Sequence, residues 1–168
     1  MGLHHHRKHA PGPLSVAVVS ISTSRTLDED KSGHWIARQA AKEGHTVVYH
    51  QVVPDEAPAI ARTVLDLVER KKCQAILMTG GTGIADADVT IEAVRPLLDK
   101  EIPAFGVLFT QLSFEEIDSA ALLSRATAGR VGNTLVFCMP GSLNACKLAC
   151  KNLVFPELGH LMKHVISG

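Results

Sequence analysis

Ala75-Ile76-Leu77-Met78-Thr79-Gly80-Gly81-Thr82-Gly83-Ile84-Ala85-Asp86-Ala87-Asp88-Val89-Thr90 decides the fold. The stretch runs from an apolar segment through a glycine cluster to a carboxylate that opens a helical pattern. Ala75 to Thr79 predicts a buried strand entering the turn. Gly80, Gly81 and Gly83 tolerate positive φ and let backbone N–H groups approach an anion. Asp88 then stands where a cation beside that anion would be held. An Asp in this place also suits a helix N-cap, with Thr90 able to serve the same end, so cap and ligand both stay open.

Working outward, Leu14 to Ile21 is another apolar run, followed by the polar turn Ser22-Thr23-Ser24-Arg25-Thr26 and a helix pattern over Asp30 to Glu43, closed by Gly44. Thr46 to Val53 predicts a strand ending at Pro54-Asp55-Glu56, and Ile60, Val64, Leu67 and Val68 give the next helix its apolar face. After the glycine turn, a helix is expected over Asp88 to Leu98. Residues 103–117 mix helix-favouring apolar positions with Gly106, and their structure stays open. Ser119 to Ala126 predicts a short helix and residues 129–133 a turn into the strand Thr134 to Met139. A helix from Ser142 is expected to stop at Pro156 and resume as a terminal helix. Strands alternating with helices predict an α/β fold with parallel strands and helices on both faces.

At 168 residues the chain fits one domain over 14–168 behind a tail over 1–13. The tail carries His4, His5, His6 and His9, which without further ligands do not define a closed metal site. Seventeen basic residues balance seventeen acidic ones, so no basic field favours nucleic acid. No apolar run approaches the roughly 20 residues of a membrane span, and the start lacks a signal-peptide core. Cys73, Cys138, Cys146 and Cys150 form no CxxC pair and sit in apolar surroundings, as reduced core thiols would. A cytoplasmic protein is expected.

Ligands of an open α/β sheet bind beyond the carboxyl ends of its strands. Four segments belong there: Ser22 to Arg25, Pro54-Asp55-Glu56, Thr79 to Asp88, and Pro140-Gly141-Ser142. The glycine turn is neither a Walker A motif nor GxGxxG, so neither nucleotide class follows from pattern alone. Asp55 is a turn residue or, with Asp88, half of an oxygen-donor pair for Mg²⁺ and phosphates, with Glu56 in reserve. Ser124-Arg125 offers a guanidinium for a phosphate or for a surface carboxylate. Ser142 suits an N-cap that also presents N–H groups. Its use as a nucleophile lacks both a G-x-S-x-G motif and a placed histidine base.

Seven segments in this order, Ser20 to Ser24, Val53 to Glu56, Thr79 to Gly83, Asp88 to Thr90, Leu112 to Ile117, Leu123 to Ala126 and Pro140 to Ser142, resemble the MoaB/MogA family of molybdenum cofactor biosynthesis. Leu112-Ser113-Phe114-Glu115-Glu116-Ile117 makes the chain more similar to MoaB than to MogA. The resemblance implies a three-layer α/β/α sandwich with a mostly parallel sheet, molybdopterin binding and, in active members, Mg-ATP-dependent transfer of AMP to molybdopterin with release of pyrophosphate. A non-catalytic molybdopterin-binding or scaffolding role in the same pathway is the alternative.

The same resemblance carries catalysis and Mg²⁺ binding to Asp55 and Asp88. Substrate binding falls to Ser22, Thr79, Gly80, Gly81, Thr82, Gly83, Ser124, Arg125, Pro140, Gly141 and Ser142. It implies a homo-oligomer, trimer or hexamer, and contact with other cofactor-biosynthesis proteins. The chain departs from many relatives at Val107, Thr110 and Leu143, and in carrying Asp86 before Asp88.

Overall fold

The computed structural model describes residues 12–167, and the histidine-rich opening lies outside them. Six strands form one sheet in the order β2-β1-β3-β6-β5-β4: β1 Ser15–Ile21, β2 Thr46–Val53, β3 Ala75–Thr79, β4 Lys100–Glu101, β5 Thr127–Val131 and β6 Thr134–Met139. β2, β1, β3 and β6 run parallel, whereas β5 lies antiparallel to β6 and β4 antiparallel to β5. The helices are α1 Lys31–Lys42, α2 Ala57–Glu69, α3 Thr90–Val94, α4 Pro103–Ile117, α5 Leu143–Ala149 and α6 Phe155–Ser167.

The period-2 alternation of the strands builds two cores. Val16, Val18, Ala75, Leu77, Leu135 and Phe137 pack under Ile36, Ala40, Phe105, Phe109, Cys146, Leu158 and Met162, on the face covered by α1, α4, α5 and α6. Ala17, Val19, Ile76, Met78, Val136 and Cys138 point the other way, against Ile60, Val64, Leu67 and Val94 of α2 and α3. The expected α/β/α layering follows. All four cysteines are buried and free, and burial pushes the Cys138 thiol up to about 12. Among the described residues, no helix is long and apolar enough to cross a membrane.

Four expectations need correction. Thr127–Val131 is a strand rather than a loop leading into a turn, because Gly129 lets β4 pass where a Cβ would lie 2.5 Å from the Lys100 carbonyl. Only Gly132 and Asn133 separate β5 from β6. The expected Asp88–Leu98 helix begins at Thr90 and gives way to a 3₁₀ turn at Arg95–Leu97, where Pro96 interrupts it. The segment after α4 is 3₁₀ over Asp118–Leu123. Pro156 does not break the last helix: a π turn at Cys150–Val154, with Phe155 N–H donating to the Cys150 carbonyl, widens the ladder just before it.

Residues 103–117 resolve as the single helix α4. Gly106 is needed there because a Cβ would stand 2.7 Å from the Ala126 carbonyl. Phe105, Phe109 and Ser113 face inward. Val107, Leu108, Phe114 and Ile117 remain exposed, and Leu122 and Leu123 in the following turn extend that apolar surface.

Candidate functional site at the carboxyl ends of the parallel strands

From β1 the chain crosses to β2 on one side, and β3 returns on the other side of β1, so β1 and β3 flank a topological switch point. A cleft of about 350 Å³ opens above their carboxyl ends. Ser22 and Arg25 line it from the loop after β1, Gly80 to Gly83 and Asp88 from the turn after β3, and Pro140 and Gly141 from the loop after β6. Leu123 closes one wall.

The glycine turn is held by its carbonyls. Thr90 Oγ1 donates to the Gly80 carbonyl at 2.8 Å and Thr90 N–H to the Gly81 carbonyl at 2.9 Å, while Gly80 N–H donates to the Met139 carbonyl. Among the described residues, the N–H groups of Gly81, Thr82 and Gly83 make no hydrogen bond. Three adjacent N–H groups on a fixed turn are the donors that an anion requires. Gly80 and Gly81 have φ of +100° and +64°, which glycine adopts without strain. Gly83 has a different reason: a Cβ there would lie 2.5 Å from Asp88 Oδ2.

Both acidic residues are anchored through one oxygen only. Asp55 Oδ2 accepts from Thr23 N–H at 2.7 Å and from Thr23 Oγ1 at 3.0 Å, and Asp55 N–H donates back to Thr23 Oγ1. Its Oδ1 stands behind the turn, 3.3 Å from where a Cβ on Gly81 would be. Asp88 Oδ2 accepts from Ala85 N–H at 3.0 Å, so the carboxylate folds back over the turn instead of capping α3, whose N-cap position is Val89. Among the described residues, no hydrogen bond engages either Oδ1. Two hard oxygen donors with a free lobe each suit Mg²⁺ shared with substrate phosphates and water. Among the described residues no set of three or more His, Cys, Asp or Glu is placed to hold a metal ion.

Other expected site residues take different places. Thr79 Oγ1 donates to the Pro140 carbonyl at 2.9 Å and lies 3.0 Å from Cys146 Sγ, so it ties β3 to the loop after β6 from beneath. Ser142 caps α5, its Oγ accepting from Ala145 N–H at 3.2 Å. Ser124 and Arg125 line a second cavity of about 600 Å³ with Glu92, Gly106, Val107 and Thr110, directly after Leu123 in the chain. There the Arg125 guanidinium pairs with Glu92. Burial tends to raise the Glu92 carboxyl, but the Arg125 hydrogen bond, a backbone hydrogen bond and the charges of Arg125 and Arg95 outweigh it and leave it below the ordinary range.

Beneath the loop after β1 lies a buried network that the sequence did not announce. Asp30, fully buried, accepts from Ser20 Oγ at 2.6 Å and from Gly33 N–H at 2.9 Å, and its Oδ2 is 2.9 Å from His50 Nε2. Burial pushes the carboxyl up, yet the hydrogen bonds from Ser20, His50 and Gly33, with the His50 charge, hold it below the usual carboxylate range. A Cβ on Gly33 would lie 2.0 Å from Asp30 Oδ2, so only glycine admits the cluster. The network pins both ends of the loop that carries Ser22, Thr23 and Arg25. The role of Arg25 in the cleft could be suspected from its being the one cation among the four strand-end segments. Thr23 carries no such signal, since only the fold brings it to Asp55.

Residues 17–160 match the family described as a probable molybdopterin binding domain. Molybdenum cofactor biosynthesis protein B of Bacillus subtilis is 43% identical over 166 residues, covering 98% of each chain. Its counterpart in Escherichia coli K12 is 40% identical over 146 residues, 87% of this chain and 86% of that one. A crystal structure of a molybdenum cofactor biosynthesis protein B superposes with a TM-score of 0.91 at 42% identity, covering 95% of this chain and all of the other. The tungsten cofactor synthesizing protein MoaB of Pyrococcus furiosus gives 0.81 at 36% identity, over 93% and 99%. On sequence and fold together, the chain belongs to the MoaB/MogA family of molybdenum cofactor biosynthesis proteins, on its MoaB side.

Proposed function

We propose that this chain is a molybdopterin adenylyltransferase, transferring AMP from ATP to the phosphate of molybdopterin. The observation that carries the proposal is the pairing of three adjacent N–H groups on the glycine turn with two carboxylates that each keep one oxygen unengaged. Binding alone needs the N–H groups. A pair of half-engaged carboxylates beside them suits an Mg²⁺-nucleotide.

In the reaction, a phosphate oxygen of molybdopterin forms a bond to the α-phosphorus of ATP as the bond to the pyrophosphate oxygen breaks. Magnesium, when bound, would supply positive charge to the phosphate oxygens, and Asp55 and Asp88 would be the residues that hold it. Gly81, Thr82 and Gly83 donate to phosphate oxygens, and Arg25 adds a cation from across the cleft. Thr23 and Ala85 fix the two carboxylates before substrate arrives, so little reorganisation is needed at the transition state. Pro140 and Gly141, with Ser22, set the cleft's remaining wall, while Thr79 and Ser142 hold that wall in place.

A second reading, a molybdopterin-binding protein of the same pathway without catalysis, is favoured by one observation. Arg125 is paired with Glu92, in a cavity that Val107 and Thr110 line. One assay separates the two. Incubation with molybdopterin, ATP and Mg²⁺ is expected to release pyrophosphate and give adenylyl-molybdopterin. Saturable pterin binding without either product would establish the second.

The exposed apolar surface of α4 and its following turn supports a homo-oligomer, trimer or hexamer. We place the protein in the cytoplasm, in keeping with its four free buried thiols. Residues 14–168 act as one molybdopterin-binding domain, and other cofactor-biosynthesis proteins are its natural further partners.

A further inference from the structure

Glu157, His160 and His164 lie on one face of α6 at i, i+3 and i+7 spacing. His160 Nδ1 is 3.1 Å from Glu157 Oε2. An ionised carboxylate only accepts, so Nδ1 carries the proton and the neutral ring presents its lone pair at Nε2. That Nε2 is 3.1 Å from His164 Nε2, with ring centroids 4.8 Å apart and planes inclined by 60°. Two imidazoles facing each other nitrogen to nitrogen share one proton between two lone pairs. A cation in place of that proton would join the rings.

We propose that His160 and His164, oriented by Glu157, form a two-histidine chelate for a divalent late transition-metal cation. With the nitrogens 3.1 Å apart, a cation about 2.05 Å from each would see them at about 98°, between the about 90° of square-planar and the about 109° of tetrahedral coordination. Neutral imidazole suits copper, nickel and zinc better than Mg²⁺. The carboxylate behind His160, 3.1 Å from Nδ1, fixes the ring's tautomer and orientation, as outer-shell carboxylates do in metal sites. Among the described residues no third His, Cys, Asp or Glu joins the set. His164 stands at the rim of a cavity of about 570 Å³ whose lining includes Asn133 and Leu135, at the start of β6. The glycine cleft lies beyond the other end of that strand, so the two sites are independent.

The test uses the full chain with His4, His5, His6 and His9 replaced by Gln, so that those imidazoles cannot compete, and Cu²⁺ as the only ligand. Titration is expected to show one bound Cu²⁺ per chain, with an electron paramagnetic resonance signal split by two imidazole nitrogens. Adding His160→Gln or His164→Gln should weaken binding at least about tenfold and leave one nitrogen coupling. Glu157→Gln should weaken it about tenfold while both couplings persist. Each variant is checked by circular dichroism for an unchanged fold. Binding and spectrum unaltered in the His160→Gln/His164→Gln double variant, or lost instead with His50→Gln, would overturn the proposal.

Discussion

The parallel and antiparallel halves of the sheet treat their strand ends differently. In the parallel half, β1, β3 and β6 stop at one edge, and each hands the chain to a polar loop that must cross to a helix. Those loops accumulate the glycine turn, Asp88, the Thr23–Asp55 clamp and Gly141. In the antiparallel half, β5 and β6 are joined by Gly132 and Asn133 alone, and the chemistry moves onto α4 and the turn after it, where apolar side chains face outward. Parallel pairing therefore gathers polar backbone into a site. Antiparallel pairing leaves a helix with apolar side chains facing outward. The Arg125–Glu92 pair lies between the two regimes, one residue from Ser124 and two from Leu123.

Changes at four positions probe that division. The largest effect is expected at Asp88: Asp88→Asn keeps the shape of the turn but removes the charge, and should lower adenylylation about 10²–10³-fold while leaving pterin affinity within a few-fold. Pyrophosphate release at saturating Mg²⁺ measures it, and unchanged turnover would remove Asp88 from the chemistry. Asp30→Ala comes next. It strands the hydrogen-bonding groups of Ser20, His50 and Gly33 beneath the loop after β1, at about 3 kcal/mol in urea unfolding.

The Asp30 carboxyl is lowered in the folded protein, so its contribution is fully present above its unfolded value of about 3.9 and is lost as pH falls through the folded value. The stability gap between wild type and Asp30→Asn should accordingly narrow below about pH 4. A gap independent of pH would show that the carboxylate's charge plays no part.

Gly81→Ala is expected to cost about 2 kcal/mol, since it forces a side chain into a left-handed backbone with its Cβ 2.3 Å from Thr90 Oγ1. Phosphate affinity should drop with it. A variant as stable as wild type would mean the turn is softer than its hydrogen bonds suggest. The smallest effect on folding is expected at Leu122, 85% exposed: Leu122→Asp should alter monomer stability by less than about 0.5 kcal/mol. Light scattering should nonetheless show a loss of assembled mass. Unaltered assembly would turn the apolar surface of the antiparallel half toward some partner other than a second copy.

The parallel half was also the half that could be read from residues. Thr46 to Val53 and Ala75 to Thr79 are bounded by turn residues and have the bounds of β2 and β3. In β5, Gly129 and Arg130 look like a turn until β4 is known to run beside them, and β4, two residues long, has no pattern of its own. Of the site, the glycine turn, Asp55 and Asp88 were visible as polar residues after apolar runs. Their anchoring was not: Thr23 finds Asp55 across 32 positions, and Ser20, Asp30 and His50 come from three elements. The resemblance carries substrate binding to Thr79; strand alternation turns its hydroxyl toward Pro140 and Cys146, a placement that only the fold reveals.

Gly141 has its Cα hydrogen where a side chain would come within 3.2 Å of the Gly80 Cα. Main chain thus abuts main chain across the floor of the cleft, with no rotamer between them to absorb a displacement. The two loops are packed backbone to backbone at that point. Gly141 leads into helix α5, so the spacing of the cleft between the glycine turn and that helix is set by the thickness of two peptide backbones rather than by side chains.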